Sequence, residues 1–229
     1  MFLIKISEMI IFIYIYFNFI IYVLEKIEPI TLEGKYIILR PPSIDDINGL
    51  SNAAKDGEIW NNRFSRFPNL NEIPKYVQEM LNLSSKGSIL PFITLDKASN
   101  TIVGTTRYLN IDYQNHRLEI GHTWIAKSRR KTYVNTETKF LMLQYAFEKL
   151  GCIAVEIRTD VLNMVSRQAI QRLGAKQDGV LRHHKIMKDG RIRDTVCYSI
   201  IKPEWEQVKE NLMEKLCKYN NKQEMINLI

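Results

Sequence analysis

The stretch from Trp124 to Leu150 most constrains the fold, because it joins an apolar run, a cationic turn and a helical repeat without a break. Apolar side chains recur at helical spacing after the turn. They are Phe140, Leu141, Leu143, Tyr145, Ala146, Phe147 and Leu150. A strand that feeds a basic loop and then a helix aims free amides and the positive end of the helix dipole at one spot. The stretch therefore predicts a phosphate-binding turn at the start of this helix.

The composition is that of a globular protein. The chain has 229 residues, of which 45% are hydrophobic and 25% charged, so it is long enough to bury a sizeable core. The net charge of +7 indicates an anionic partner, which leaves a phosphate-rich cofactor, a nucleic acid, the ribosome and a membrane surface open. The three cysteines have no metal-like spacing, so we expect reduced thiols and no metal site.

The first thirty residues differ from the rest of the chain. Met9–Leu24 consists almost wholly of Ile, Phe, Tyr and Val. It is slightly short for a membrane span, which needs about 20 residues, and it has no small-residue cleavage site. A membrane anchor, an over-extended translation start and an extra element of the fold all remain open. We therefore predict an apolar extension over residues 1–30, a domain over residues 31–216 and a polar tail over residues 217–229.

The order of predicted elements is β, α, α, β, β, β, α, β, α, β, β, α. Ser43–Asp46 has the pattern of a capping box at the first helix, and Asn71 is the predicted cap of the second. Asp189-Gly190 predicts a hairpin turn. The last helix is expected to run from Pro203 to about Leu216, followed by a frayed tail. The pattern predicts a single α/β domain with a mixed, mainly antiparallel central sheet flanked by helices.

One strand–helix–strand crossover spans Arg117–Thr159 and places two strands side by side. Asn163 and Ser166 directly follow the second of these strands, three residues apart, so they share one side of a helix start. A simpler interpretation is that one of them only caps the next helix. The chain has no Gly-x-x-x-x-Gly-Lys or Gly-x-Gly-x-x-Gly run.

The chain resembles the GNAT superfamily of acyl-CoA N-acyltransferases, in the branch of the RimJ/RimL N-acetyltransferases. The resemblance spans about Leu32 to Leu216. The segments that carry it are LRPPSIDD, IVGTTRYL, LEIGHTWIAKSRRKTYVNTETKFLML, VEIRTDVLNMVSRQAIQRLGA and GVLRHHKIMKDGRIRDTVCYSI.

This resemblance implies acetyl-CoA as cosubstrate, with its pyrophosphate on the turn and its pantetheine arm between the two crossover strands. The implied cofactor-binding residues are Ile125, Ala126, Lys127, Arg130, Lys131, Thr132, Tyr133, Val134, Asn135, Thr136 and Asn163. The family usually has Gly or Ala at two positions of the turn, and Tyr133 and Asn135 occupy them here. Because glycine lets pyrophosphate approach the backbone, we expect an altered binding geometry.

The resemblance also implies direct attack of an amine on the thioester. Glu119 is the candidate general base, and a salt-bridged structural role is its alternative. Ser166 corresponds to the group that protonates the leaving thiolate. The loop containing Trp60, Arg63 and Arg66 borders the expected acceptor groove, and an ordinary surface role remains open for each.

The expected function is N-acetylation of an amine, either a protein N-terminus or a small molecule, in the cytoplasm by a monomer or homodimer. A non-catalytic CoA-binding module, tethered to a membrane through Met9–Leu24, is the alternative. The basic residues are scattered without an aromatic stacking platform, so no nucleic acid is expected as partner.

Overall fold

One sheet of eight strands runs through the part of the chain that the computed structural model describes, residues 27–64 and 67–226. Side chains are described as far as Tyr219. The strands lie in the order β1-β2-β3-β4-β5-β6-β8-β7, and only β5 and β6 are parallel neighbours. Their bounds are β1 Leu32–Glu33, β2 Ile37–Arg40, β3 Ile89–Asp96, β4 Thr101–Asp112, β5 Arg117–Ile125, β6 Ala154–Asp160, β7 Lys176–Ile186 and β8 Ile192–Ile201.

Helices cover both faces of this sheet. They are α1 Ile47–Lys55, α2 Ile73–Ser85, α3 Tyr133–Gln144, α4 Met164–Leu173 and α5 Trp205–Ile226. The first two pack on one face, around Ile93 and Trp124. The other three pack on the opposite face, in a larger core that contains Phe147 and Val155. The predicted fold class, a single α/β domain with a mainly antiparallel sheet, is confirmed.

Capping boxes precede the two helices of the first face. The predicted box at Ser43 is confirmed, because Asp45 N donates to Ser43 Oγ and Ser43 N donates to Asp46. The predicted cap at Asn71 is wrong. Asn69 accepts from two backbone amides, and Glu72 accepts from Asn69 N at 2.9 Å. A box starting at Asn71 would need a donor three residues on, where Pro74 has no N–H.

The last helix is longer than predicted. Its expected end near Leu216 is wrong, because α5 continues to Ile226. Lys215 Nζ donates to the carbonyl of Arg172 at the end of α4, and the ring of Tyr219 meets that of Tyr133 edge-on at 6.4 Å. These contacts with two other helices stabilise the polar last turns, which lack an apolar repeat of their own.

Two further elements depart from regular geometry. The helix that contains α3 continues as a π-helix over Tyr145–Lys149, in place of the continuous α-helix predicted to Leu150. The predicted β7–β8 hairpin is confirmed, but its turn is closed by Gly190 N donating to Met187 O, with Gly190 at φ +79°. Within the described residues no helix is long and apolar enough to cross a membrane. The predicted segment Met9–Leu24 lies outside those residues.

Glu137 joins α3 to the chain ahead of β2. Its carboxylate accepts hydrogen bonds from the amides of Lys35, Tyr36 and Ile37, each at 2.8 Å. Gly34 leaves the necessary space, because a Cβ there would lie 2.6 Å from Glu137 Cδ. Burial raises the pKa of Glu137, and the three N–H donors oppose that shift. The carboxylate thus holds the sheet edge against the helix that carries the basic turn.

We expect Glu137→Gln to lower the free energy of unfolding by about 2 kcal/mol, because an amide NH2 group then faces backbone donors that a carboxylate oxygen had satisfied. Urea unfolding followed by circular dichroism would measure the loss. Glu210→Gln, at an exposed site on α5, is the matched control. Equal stability of the two variants would contradict this role for Glu137.

Candidate functional site

Strands β5 and β6 separate after a short parallel contact. They pair at Arg117 with Ala154, Leu118 with Val155 and Glu119 with Glu156, and no further pairs join them, although β5 runs to Ile125 and β6 to Asp160. Their facing backbone edges are therefore left without a partner strand in the described part of the chain. Such an edge can hydrogen-bond an extended ligand in the way that a strand would. The two separated ends form a slot at one edge of the sheet.

A bulge lies on β5 beside this slot. The register with β4 steps from Thr105–Trp124 to Arg107–Gly121, so that His122 and Thr123 together face Thr106. His122 takes up the extra residue in the left-handed region, at φ +49°. A bulge bends a strand and re-aims its groups, which explains why β5 turns away from β6 here.

Lys139 of α3 lies behind the bulge. It is 5% exposed, and its Nζ donates to Thr123 Oγ1 at 2.7 Å. Thr123 Oγ1 in turn lies 2.8 Å from Thr106 Oγ1. Burial lowers the pKa of Lys139 to about 7. No role was predicted for Lys139 from sequence, and its only local signal is its position directly before the apolar run that begins at Phe140.

The basic turn is fixed from the end of α1. Lys127 N donates to Asp56 O at 2.8 Å, and Ser128 N and Oγ both reach the Asp56 carboxylate. Gly57, at φ +96°, allows this close approach, because a Cβ there would lie 2.4 Å from Lys127 Cβ. Arg130 Nε donates to Ile125 O at 3.0 Å. The turn is therefore held in place on both sides.

Helix α3 begins with free amides. Thr132 is its cap and accepts from Val134 N at 3.3 Å. The amides of Lys131, Thr132, Tyr133 and Asn135 donate to no protein group within the described residues. By contrast, the amides of Ala126, Lys127 and Arg130 already donate to backbone carbonyls, at 2.8, 2.8 and 3.2 Å. The free donors of the turn are thus concentrated at 131–135, where the dipole of α3 is positive.

The side chain of Tyr133, which stands where the family usually has a small residue, is held against the domain. Its ring stacks on Tyr36 at 4.6 Å, and its hydroxyl donates to Asp96 Oδ1 at 2.6 Å. Burial and this bond raise the pKa of Tyr133 to about 12. Arg129 also approaches Asp96, at 3.3 Å. Burial would raise the pKa of Asp96, but hydrogen bonds from Ser99 and Tyr133 outweigh it and lower the pKa.

Glu119 lies next to the bulge on the face that carries α1 and α2. It is 7% exposed, and its Oε2 accepts from Asn110 Nδ2 at 2.8 Å and lies 3.4 Å from Arg158 Nε. Its Oε1 lies over Gly121, 3.2 Å from where a Cβ would stand. Burial raises the pKa of Glu119, although Asn110 and Arg158 oppose the rise. The carboxylate is therefore paired and yet sits at the point where the strands part.

Asn163 and Ser166 follow β6 at the same edge of the sheet. Asn163 caps α4, with Oδ1 accepting from Ser166 N at 3.1 Å, as the simpler interpretation expected. The Ser166 hydroxyl is half-buried and bonds to no protein group within the described residues. Because β5 and β6 are parallel, both strand ends deliver their following residues to one edge of the sheet.

The predicted acceptor residues Trp60 and Arg63 form no hydrogen bond or ion pair with these groups among the described residues. Trp60 sits in a short 3-10 turn and packs against the cluster under α1 and α2. Arg63 is exposed, with its guanidinium 5.5 Å from the centre of the Phe64 ring. Neither makes a described contact with Glu119 or Ser166. Arg66 lies outside the described residues, which include no cluster of metal-ligating side chains.

The acetyltransferase (GNAT) domain family matches residues 37–176. The uncharacterized N-acetyltransferase p20 of Bacillus licheniformis is 24% identical over 76% of this chain and 98% of its own length. A proposed ribosomal N-acetyltransferase, YdaF of Bacillus subtilis (strain 168), is 34% identical over 48% of this chain and 58% of its own.

Solved structures share the fold. A GCN5-related N-acetyltransferase from Brucella melitensis is 27% identical, with a TM-score of 0.74 over 82% of this chain and 86% of that one. RimJ of Mycobacterium smegmatis, in complex with CoA-disulfide, is 19% identical, with a TM-score of 0.71 over 82% of this chain and 95% of the RimJ chain.

We expect Lys139→Met to change how stability depends on pH. Between the lowered pKa of about 7 and the ordinary value of 10.5, the unfolded chain binds a proton that the folded chain does not, so the contribution of Lys139 to stability rises with pH. Relative to the variant, the wild type should gain about 1.4 kcal/mol per pH unit across this window. Urea unfolding from pH 7 to 10 measures the gain, with Lys86→Met as exposed control. A pH-independent difference would show that Lys139 titrates normally.

Proposed function

Because the chain belongs to the GNAT acetyltransferase family, whose domain spans residues 37–176, we propose that it transfers the acetyl group of acetyl-CoA to an amine. The observation that carries the proposal is the slot where β5 and β6 part after Glu119 and Glu156. Free strand edges, free helix-start amides and a buried carboxylate all border that slot. The solved RimJ structure, in complex with CoA-disulfide, supports CoA as the ligand of such a fold.

The residues at the turn fit a pyrophosphate. The unpaired amides at 131–135 and the positive end of α3 would bind it, and the side chains of Lys127, Arg130 and Lys131 would add charge. Thr136 follows on the first turn of α3, and Val134 N is already bound by Thr132. The unpaired edge of β5, down to Ile125, would hold the pantetheine arm, with Asn163 beside it. Ala126 follows, with its amide and carbonyl already bonded to Val103 O and Arg129 N. Acetyl-CoA supplies the activated thioester.

Glu119 would remove the proton of the attacking amine, directly or through water. A free α-amine has a pKa of about 8, so a weak base suffices. Burial raises the pKa of Glu119 above its ordinary value, which brings it closer to the pKa of the amine that gives up the proton. A strand amide near Ile125 would polarise the carbonyl. Ser166, whose hydroxyl has no protein partner among the described residues, would give a proton to the leaving thiolate.

The proposed acceptor is the N-terminus of a protein, with a small-molecule amine as the second candidate. The name of YdaF, a proposed ribosomal N-acetyltransferase, supports a protein acceptor. The predicted cytoplasmic location, and the choice between monomer and homodimer, stay predictions.

Turnover should be seen when purified protein is incubated with acetyl-CoA and a panel of N-terminal peptides and polyamines, with CoA release followed by chromatography. Calorimetry should show acetyl-CoA binding without an acceptor. Binding without turnover of any amine would favour a non-catalytic CoA-binding module, in line with Tyr133 and Asn135 in the turn. If neither acetyl-CoA binding nor turnover is observed, the proposed function is wrong.

Glu119→Gln should lower kcat by about 100-fold or more, because general acid–base catalysis contributes about 10²–10⁴. Ser166→Ala should lower kcat by about tenfold, and both should leave the Kd for acetyl-CoA within about twofold. Stopped-time assays and calorimetry give the two quantities. Ser85→Ala, at the end of α2, is the control. An unchanged kcat in either variant removes that residue from the mechanism.

A further inference from the structure

Three cations share the sheet face on which Glu119 lies. Arg107 is paired with Gly121 across β4 and β5, so its side chain is on the face of Glu119, two residues away. Across β6 this face passes through Glu156 to β8, where every second residue continues it as far as Arg193. Lys185 of β7 is paired with Arg193. The registers alone therefore set Arg107 on one side of the slot and Arg193 with Lys185 on the other.

The three cations lack a directly contacting acidic partner among the described residues. Arg107 is 6% exposed, donates from Nη2 to Tyr76 OH at 3.1 Å, and leaves its buried Nε without a hydrogen-bond partner. Arg193 is half-buried, and its buried Nε also lacks a partner. Among the described residues, neither of them nor Lys185 forms a salt bridge.

The carboxylates of the same face are already paired with other residues. Glu156 binds Arg117 and Arg158, and Arg158 also approaches Glu119. Asp160, fully buried, binds Arg191 at 2.5 Å. Glu119 and Asp160 act on Arg193 without forming an ion pair with it. The face therefore carries three positive charges that no acidic side chain of the described chain pairs with directly, and a buried unpaired guanidinium costs free energy until an anion binds it.

All three cations act electrostatically on His122, the residue at the bulge. The side chain of His122 is exposed, and desolvation together with the charges of Arg107, Lys185 and Arg193 lowers the pKa of its ring to about 4. Lys185 and Arg193 also act on Glu119. The positive charges thus surround the place where the proposed general base and the slot meet.

A contact between the β7–β8 turn and the start of α2 passes over this face. Lys188 Nζ lies 3.3 Å from Phe67 O and 3.5 Å from Glu72 Oε2. Because α2 covers the β3–β4 side and the hairpin lies beyond β6, the contact spans the slot. An acceptor that approaches the slot from this face would place its amine beneath this contact, next to the three cations.

We infer that the amine acceptor carries a carboxylate close to its amine, and that Arg107, Arg193 and Lys185 bind this carboxylate. The inference rests on the proposed acetyltransferase function and names the substrate class of that site. An acidic residue at or next to a protein N-terminus provides such a group, and the α-carboxylate of a free amino acid provides the same chemistry.

The charge pattern argues against polyamine acceptors. A polyamine would bring further positive charge among Arg107, Arg193 and Lys185, where like charges repel. The same cations favour loss of the proton from an incoming ammonium group, because a nearby positive charge disfavours the charged form. A carboxylate near the amine offsets the repulsion while leaving the amine able to react.

The test compares acceptors of different charge, with Asp and Asn as the matched pair. Purified full-length protein is assayed for CoA release with acetyl-CoA and the peptides Ala-Asp-, Ala-Asn- and Ala-Lys-, each followed by one common neutral sequence. Free aspartate, asparagine and spermidine complete the panel. We expect kcat/KM for the Ala-Asp peptide to exceed that for the Ala-Asn peptide by about tenfold, the effect of one close charge pair. A higher kcat/KM for free aspartate than for every peptide would show that the acceptor is a free amino acid and not a protein N-terminus.

Variants test whether the cations of this face cause the preference for the Ala-Asp peptide. Arg193→Gln and Lys185→Gln should each lower the Ala-Asp to Ala-Asn ratio several-fold, and Arg193→Glu should shift the preference toward the Ala-Lys peptide. Lys176→Gln, at the exposed far end of β7, should keep the wild-type ratio. Circular dichroism confirms that each variant is folded.

The outcomes separate this inference from the proposed function. Turnover of all peptides at equal kcat/KM, or the highest rate with spermidine, would overturn the inference and leave the acetyltransferase proposal standing. No turnover of any amine would instead overturn the proposed function. If Arg193→Gln and Lys185→Gln keep the wild-type ratio of kcat/KM for the Ala-Asp and Ala-Asn peptides, these residues do not bind the acceptor's carboxylate.

Discussion

The parallel contact between β5 and β6 ends after Glu119 and Glu156, and the candidate site depends on this limit. Had the two strands paired to their ends, the sheet would be continuous and would offer no free backbone beside the basic turn. The bulge at His122 and Thr123 accounts for the change of direction, since it adds one residue to β5 that β4 does not match. One extra residue in β5 therefore accounts for the candidate slot, which a regular strand would not leave open.

Buried polar groups keep the parts of the site in register with one another. Glu137 holds the chain before β2, Asp96 holds Tyr133 and Arg129, and Lys139 holds Thr123 of the bulge. Glu137 and Lys139 belong to helix α3, and Asp96 contacts the first residue of that helix and the basic turn before it. Because buried donors and acceptors tolerate little displacement, these bonds fix the helix start relative to the slot more firmly than apolar packing alone would.

The sequence predicted the mainly antiparallel sheet and the order of its elements except for the two-residue strand β1, because hydrophobic period, glycine positions and capping residues are local signals. The phosphate turn stays a prediction. The sequence misplaced the cap before α2, because Asn69 and Asn71 are both cap-type residues, and it is Asn69 that has a Glu three positions on. It also ended α5 too early, because Tyr219 and Lys215 are stabilised by distant helices. The bulge and the shared face of Arg107 and Arg193 depend on strand register, which no single segment encodes. The burial of Lys139 depends on how α3 packs against the sheet.

The bonds from Glu137 to the segment before β2 have a consequence for the order of folding. The joined residues are 100 to 102 positions apart in the chain. At a synthesis rate of about 5–20 residues per second, the first strands wait roughly 5–20 s before the helix that fixes them has left the ribosome. During that interval the edge strands β1 and β2 have no carboxylate to close their turn, so this corner of the sheet is completed late in the life of the nascent chain.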